Sequence, residues 1–181
     1  MASAVLAVQE LGDPEALDDL ASRVGGTWHR AVSGAYALYR RAAEATAVRE
    51  LATAHLRAQP DARLIVLGDL NDEPTAATTQ ILSGPPGSEI GTGGFDHPDQ
   101  GDAWRLWNLA PFIPGDQRYS RIYRGRKELI DHILVSHQLV KPLPTVRTIN
   151  QALPSVTDDP HQHTGESGSD HSPVAATFDL P

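Results

Sequence analysis

Residues 64–71 read LIVLGDLN, and this stretch decides the fold. Leu64 to Leu67 is a short apolar run with β-branched residues, which is typical of a buried strand. The run leads directly into Asp69 and Asn71, whose residue types also favour turns. In α/β proteins, side chains at strand ends and in the following loops form the functional sites. The stretch therefore predicts a buried strand that ends either at a simple turn or at a site.

Three further segments also place acidic, amide or imidazole side chains at the end of a strand. They are residues 5–10 (VLAVQE), 129–132 (LIDH) and 169–173 (SDHSP). The four segments together offer these candidates: Glu10, Asp69, Asn71, Asp131, Asp170 and His171. A hard divalent cation takes a few carboxylate oxygens and keeps several waters, while a histidine acts as a base or donates to a phosphate. The set is suited to metal-assisted attack of water on a phosphate ester.

The remaining elements alternate between strands and helices first and are mainly strands later, which indicates an α/β sandwich. The predicted helices are 14–24, 40–58 and 74–82, of which 40–58 is rich in alanine, arginine, glutamate and leucine. The predicted strands are 4–8, two short ones within 28–38, a hairpin of 121–123 with 128–135 about Gly125, and 174–178. Residues 83–101 and 154–169 are predicted loops.

The composition is that of an ordinary globular protein, with 181 residues, 40% of them hydrophobic and 21% charged. We expect one domain over residues 1–181. No apolar run approaches the ~18 residues of a membrane span, and the lack of an export signal favours the cytoplasm while leaving export open. The absence of cysteine excludes disulfides and thiolate chemistry. A net charge of −8 argues against a pure nucleic-acid-binding module, which would carry a basic face.

Four segments, VLAVQE, LIVLGDLNDEP, ELIDHILVS and GSDHSPV, resemble successive signature motifs of the endonuclease/exonuclease/phosphatase superfamily. Their order along the chain is also the order in that family. The resemblance implies a DNase I-like α/β sandwich of two packed mixed or antiparallel sheets flanked by helices. It further implies nuclease-like hydrolysis of a phosphodiester or phosphomonoester with Mg²⁺ or Mn²⁺, on a nucleic acid or a small phosphorylated molecule.

The resemblance also implies a role for each candidate residue. Asp69 would activate the attacking water, and Asn71 would hold the phosphate in the transition state. Asp131 would support His171, which would contact the scissile phosphate in acid/base chemistry. The implied metal ligands are Glu10 and Asp170.

A basic cluster precedes the Asp131 strand and consists of Arg121, Arg124, Arg126 and Lys127. It can be a solvated hairpin or a surface that faces phosphate. Because the cluster adjoins the proposed site, we assign Arg124 and Arg126 to substrate binding.

Two elements of the family pattern are missing from the sequence. Gln9 and Glu10 stand almost at the first residue, so there is no room for the family's preceding strand with its metal-binding asparagine. The interval from Glu10 to Asp69 is short, and no His-Leu-Lys-like run of a central strand is found in it. We therefore expect an incomplete sandwich with reduced activity. The alternative is a truncated, non-catalytic remnant that binds metal or a partner without turnover.

Overall fold

A computed structural model describes residues 3–7, 30–84, 89–92, 95, 102–151, 153–158 and 168–180, with residues 3–7 and 30–36 described by backbone alone. The described elements are, in chain order, β1 (Ser3–Ala7), α1 (Arg30–Ala58), β2 (Arg63–Asp69), α2 (Ala77–Ser83), β3 (Leu106–Asn108), β4 (Arg121–Tyr123), β5 (Arg126–Glu128), β6 (Asp131–Ser136), β7 (Thr145–Thr148), β8 (Ser155–Val156) and β9 (Val174–Thr177). Neither described helix is long and apolar enough to cross a membrane.

The largest sheet has the strand order β1-β2-β6-β3, with β1 parallel to β2 and β6 antiparallel to both of its neighbours. Successive side chains of a strand point to opposite faces, so the apolar run of β2 serves two cores. On one face Leu64, Val66 and Leu134 are buried beneath the two helices. The helices contribute Ala45, Ala52, Leu56 and Leu82 to the same apolar cluster. The face of α1 with small side chains thereby lies close to the sheet.

The other face of this sheet packs against a second layer of strands. Ile133 and Val135 of β6 belong to an apolar cluster with Val146 of β7, and Val174 and Ala176 of β9 pack against it. β7 and β9 form an antiparallel pair. Two sheets in face-to-face contact with helices outside form an α/β sandwich. This architecture confirms the predicted fold class.

A small sheet of order β5-β4-β8 completes the described strands. β4 and β5 form a hairpin around Arg124 and Gly125, which both have positive φ, at 49° and 79°. Two central residues with positive φ define the tight turn that suits the twist of a two-residue hairpin. The hairpin therefore pairs Tyr123 with Arg126 and Arg121 with Glu128. The predicted hairpin about Gly125 is confirmed, but its second strand is 126–128 and not the predicted 128–135. Residues 131–136 instead form β6 in the large sheet.

The long helix also corrects one prediction. The sequence favoured two short strands within 28–38, but the backbone is helical from Arg30 onward. Ala, Leu and Arg, which dominate this stretch, are strong helix formers, and a single interior glycine such as Gly34 costs only about 1 kcal/mol relative to alanine. The predicted strands 4–8, 64–67 and 174–178 are confirmed as β1, β2 and β9.

The remaining fold predictions fall mainly on residues 8–29. The helix expected over 14–24 lies outside the described residues, as does Glu10. Part of the interval in which we expect a missing pair of central strands lies there too, so that expectation stays a prediction. The described remainder of the interval, 30–69, holds α1 and β2.

Candidate active site

Two carboxylates meet at one end of the large sheet. Asp69 is the last residue of β2, Asp131 is the first residue of β6, and the two are directly opposite in the antiparallel register. Opposite residues of an antiparallel pair carry their side chains on the same face, with Cβ atoms about 4.5–5.5 Å apart. The Leu70 N–H donates to the Ile130 carbonyl at 2.8 Å and keeps the strands paired at this end. The pairing of β2 with β6 thus brings together two carboxylates that are far apart in the sequence.

The chain turns sharply just after Asp69. The backbone N–H of Asn71 donates to Oδ1 of Asp69 at 2.8 Å, which closes an Asx turn. Asn71 has a φ of 51°, in the left-handed region that asparagine tolerates better than most residues. Among the described residues, no hydrogen bond involves the Asn71 side-chain amide. The turn therefore fixes the Asp69 carboxylate.

His171 joins the two carboxylates from the loop before β9. Its Nδ1 lies 2.9 Å from Oδ2 of Asp131 and 4.0 Å from Oδ2 of Asp69. The backbone of His171 forms an antiparallel bridge with Arg121 of β4. One residue later, the Ser172 N–H donates to the Ser120 carbonyl at 2.8 Å. These backbone contacts hold the imidazole against Asp131.

The three groups carry perturbed proton affinities. The hydrogen bond to Asp131 raises the pKa of His171, and burial opposes that rise only in part. Burial works against ionisation of Asp131, but hydrogen bonds with His171 and Ser120 leave its pKa below the usual range. Burial, together with the negative charge of Asp131, raises the pKa of Asp69. The site therefore holds a histidine biased towards the protonated form beside a carboxylate biased towards accepting a proton.

Ser120 is a site residue that the sequence did not reveal. It is fully buried, and its Oγ accepts hydrogen bonds from the backbone N–H groups of Ile130 and Asp131, both at 3.2 Å. Its carbonyl accepts from Ser172, next to His171. Ser120 thus ties the Asp131 strand to the His171 loop. A serine before a short strand has no distinctive pattern, so no sequence signal could have identified this role.

His132 lies on the opposite face of β6 and supports the site from beneath. Its Nε2 donates to the Asp72 carbonyl at 2.8 Å, which leaves Nδ1 to accept from the Asn108 side chain at 3.3 Å. Burial lowers the pKa of His132, so the neutral imidazole that this arrangement requires is favoured. The ring fastens the loop after Asn71 to β6. His132 therefore has the packing and support role that its place inside an apolar strand indicates.

The cluster contains atoms that could hold a divalent metal ion. Ligand atoms of Asp69, Asp131 and His171 lie within 4.8 Å of one another. Carboxylate oxygens are the donors that Mg²⁺ prefers, and the mutual repulsion of the two acids would be relieved by a cation. The Nδ1 of His171 is already paired with Asp131, so the oxygens are the more suitable donors. The donor set fits a divalent cation, whose identity stays a prediction.

The residues predicted to bind the metal are placed differently from this cluster. Glu10 lies outside the described residues. Asp170 precedes His171, its side chain is 46% exposed, and its Oδ2 lies 3.9 Å from Nε of Arg121. Asp170 is not part of the three-residue cluster of close ligand atoms, but its charge raises the pKa of His171. It borders the cluster on the solvent side.

The two arginines predicted to bind substrate lie at the tip of the β4–β5 hairpin. Nη2 of Arg124 bonds Oδ2 of Asp158 at 2.5 Å. Arg126 is 74% exposed, and its Nε is 4.0 Å from a carboxylate oxygen of Glu128. The first residue of the same hairpin, Arg121, borders His171. The hairpin as a whole therefore flanks the cluster, with Arg121 nearest to it.

Comparison with known proteins agrees with the geometry. The family described as Endonuclease/Exonuclease/phosphatase family matches residues 3–171. No curated protein matches the chain, and neither does any solved structure. The family match runs over every candidate residue from Glu10 to His171, and the family consists of hydrolases that act on phosphate esters. The chain belongs to the endonuclease/exonuclease/phosphatase family.

Proposed function

We propose that this protein hydrolyses a phosphodiester or phosphomonoester in the presence of Mg²⁺ or Mn²⁺. The observation that carries the proposal is the contact of 2.9 Å between Nδ1 of His171 and Oδ2 of Asp131, beside the carboxylate of Asp69. A carboxylate behind a histidine fixes its tautomer and raises its basicity. The pairing leaves Nε2 of His171 as the ring nitrogen able to reach a substrate.

Asp69 is the residue best suited to accept a proton from the attacking water. Its pKa is raised by burial and by the neighbouring Asp131, which makes it a stronger base than an exposed aspartate. The water oxygen forms the new P–O bond as its proton passes to Asp69. The ester P–O bond breaks, and the departing alcohol oxygen takes a proton from solvent. Asp69 later returns its own proton to solvent.

His171 and Asn71 act on the charge that develops during this attack. The raised pKa of His171 favours an imidazolium that donates from Nε2 to a phosphoryl oxygen. The Asn71 amide, which makes no hydrogen bond to a described residue, supplies a second donor. Fixed donors aimed at developing negative charge lower the barrier because they need no reorganisation during the reaction.

A divalent cation held by Glu10 and Asp170, with the Asp69 and Asp131 carboxylates nearby, would neutralise charge on the phosphoryl oxygens. Its assignment to Glu10 and Asp170 rests on the family resemblance. The cluster of close carboxylates gives independent support for a cation at this end of the sheet.

The substrate in this proposal is a nucleic acid or a small phosphorylated molecule. The net charge of −8 weakens attraction to a long polyanion. The positive charges of Arg124 and Arg126 in the hairpin that flanks the cluster work in the opposite direction and support a phosphate chain as substrate. We assign these two arginines to the flanking parts of the substrate.

Hydrolysis of bis(p-nitrophenyl) phosphate and of plasmid DNA tests the proposal. Each substrate is incubated with Mg²⁺ or Mn²⁺, with and without EDTA, using the wild-type protein and His171→Ala. The matched control is His55→Ala, in the last turn of α1, close to the start of β2 and away from the strand end that carries Asp69. We expect metal-dependent turnover that EDTA and His171→Ala abolish and His55→Ala preserves.

Two outcomes of this experiment would contradict the proposed function. A folded wild-type protein without turnover on either substrate would support the non-catalytic remnant. Turnover that survives His171→Ala would place the chemistry elsewhere in the molecule.

A further inference from the structure

Arg121 borders the candidate site, and one donor of its guanidinium lacks a hydrogen-bond partner. Its Nε is buried and has no hydrogen-bond partner, and no hydrogen bond joins its side chain to another described residue. Buried donors are nearly always paired, because an unpaired one loses its hydration without compensation. An unpaired donor that faces a site is therefore an indication of an absent acceptor.

The backbone places Arg121 directly opposite His171, the histidine proposed to act on the phosphate. Arg121 and His171 face each other in an antiparallel bridge, so their side chains leave the sheet on the same face. The positive charge of Arg121 acts on Asp69 and favours its ionised form. The guanidinium thus stands within electrostatic range of the residue proposed to accept the proton.

An aromatic ring holds the guanidinium in position. The Cζ of Arg121 lies 5.1 Å from the ring centroid of Tyr123, within the range of a cation–π contact. The hydroxyl of Tyr123 in turn hydrogen-bonds Asp158. A cation–π contact of this kind uses none of the N–H donors of the guanidinium. An arginine supported in this way keeps its donors for a ligand.

The nearby Asp170 carboxylate does not satisfy the Nε donor of Arg121. The separation of 3.9 Å between Nε of Arg121 and Oδ2 of Asp170 is too long for a hydrogen bond. The Asp170 side chain is also 46% exposed, and exposed pairs of this kind contribute little to stability. The neighbouring Arg124 differs, because its guanidinium is bonded to Asp158.

We propose that Arg121 is a further substrate-binding residue, which donates from its guanidinium to a nonbridging oxygen of the phosphate beside His171. The planar fork of N–H donors in arginine matches the oxygens of a phosphate. The assignment rests on the proposed function, since it takes the ligand to be the phosphate of the ester substrate. Arg121 would join Asn71, Arg124 and Arg126, the residues predicted to bind substrate, and its guanidinium would lie against the phosphoryl group.

Binding of inorganic phosphate tests this role without turnover. Isothermal titration calorimetry with phosphate, at a fixed saturating concentration of Mg²⁺, compares the wild-type protein with Arg121→Gln. The matched control is Arg147→Gln, which removes the same charge from an exposed position of β7. Because a hydrogen bond to a charged group is worth enough for a roughly tenfold change in affinity, we expect Arg121→Gln to weaken phosphate binding by about that factor or more. Arg147→Gln should bind as the wild type does.

The results separate this inference from the proposed function. Wild-type affinity in Arg121→Gln would overturn the role of Arg121 even if the protein hydrolyses esters, and so would a wild-type protein that does not bind phosphate. Phosphate binding that depends on Arg121 in a protein without hydrolysis would support the inference and refute the proposed function. If Arg121→Gln did not fold, Arg121→Met, whose apolar stem can still cover Tyr123, would take its place with the same expected loss.

Discussion

Nδ1 of His171 and Oδ2 of Asp131 are 2.9 Å apart, although 39 residues separate them in the chain. The contact exists because β6 carries Asp131 to the end of the sheet and the loop before β9 returns His171 to the same place. Ser120 secures both sides of it through backbone hydrogen bonds. The pair therefore joins the end of the large sheet to the loop before β9.

Asp131→Asn should lower both the activity and the pKa of His171 while it keeps the shape of the side chain at position 131. The amide keeps the shape of the side chain but weakens the hydrogen bond, and removes the negative charge, by which Asp131 raises the pKa of His171. We expect kcat to fall by roughly 10²-fold or more, and the His171 pKa, followed by NMR, to move down. Asp116→Asn, which alters an exposed acid outside the site, should change neither. An unchanged His171 pKa in Asp131→Asn would contradict the pairing.

The pH dependence of stability should reveal the buried neutral state of His132. Its pKa is lowered in the fold by burial, so below the unfolded value of about 6.5 the unfolded chain binds a proton that the folded protein does not. Stability attributable to His132 is thus present above that pH and is lost as the pH falls towards the folded pKa. The slope is at most about 1.4 kcal/mol per pH unit for one proton.

Urea unfolding of the wild type and His132→Gln between about pH 5 and pH 8, a range that brackets the unfolded pKa, measures this slope in EDTA. His171 contributes with the opposite sign, since its pKa is raised and its stabilisation is lost as the pH rises through that pKa. That contribution is common to both proteins. The wild type should therefore lose more free energy of unfolding on acidification than the variant. Parallel curves would mean that His132 titrates alike in both states.

The sequence predicted the strands of the site better than the contacts between them. The apolar run before Asp69 identifies β2 because its side chains serve two buried faces. The role of Ser120 has no such signature, since it depends on backbone N–H groups of Ile130 and Asp131 that approach only in the folded chain. The start of α1 was missed because the strand-like residues near Val32 are outweighed by the helical preference of the stretch as a whole.

The arginines of the β4–β5 hairpin are a second case in which the sequence does not predict the contacts of the site. The sequence identified a turn at Gly125 and a basic cluster around it. It gave no means to distinguish Arg121, which borders His171, from Arg124, which is bonded to Asp158. Their difference arises from the bridge between β4 and the His171 loop. Spacing along the chain indicates which residues share a hairpin, whereas the contact across sheets decides which of them face the site.

Gly84→Ala should lower the free energy of unfolding, because Arg49 packs closely against Gly84 at the end of α2. Arg49 is 8% exposed and donates to the carbonyls of Leu82, Ser83 and Trp104. A Cβ on Gly84 would lie 2.7 Å from Nη1 of Arg49, and moving that guanidinium would break these bonds. Gly91 has the same φ of +87° but open space around it. The pair of alanine variants therefore compares a crowded glycine with an uncrowded one of the same φ.

We expect Gly91→Ala to cost about 1–2 kcal/mol of unfolding free energy from the left-handed backbone alone. Gly84→Ala should cost about 1–3 kcal/mol more, as overpacking at a rigid contact does. Chemical denaturation of both variants provides the comparison. Equal losses would show that the Arg49 side chain moves aside without penalty.

The effect of metal on the melting temperature should show whether the cation is bound at Asp170, a predicted ligand, or at Asp69 in the cluster of close carboxylates. A cation that binds the folded protein stabilises it by mass action, so Mg²⁺ or Mn²⁺ should raise the melting temperature of the wild type, and EDTA should reverse the rise. Asp170→Asn removes a ligand implied by the family resemblance, and Asp69→Asn removes a carboxylate of the close cluster. Asp116→Asn is the control for loss of one negative charge.

We expect Asp170→Asn to lose most of the metal-induced rise, because it replaces a carboxylate ligand of a hard cation by an amide. Asp69→Asn should lose part of the rise, because it removes a negative charge close to the cation. A loss confined to Asp170→Asn would restrict the metal to the solvent side of the site, beside Arg121. A loss confined to Asp69→Asn would place it between β2 and β6 and would exclude Asp170 as a ligand. If both variants kept the full rise while the control did too, the cation would bind elsewhere, and Asp69 and Asp131 would act on the substrate without it.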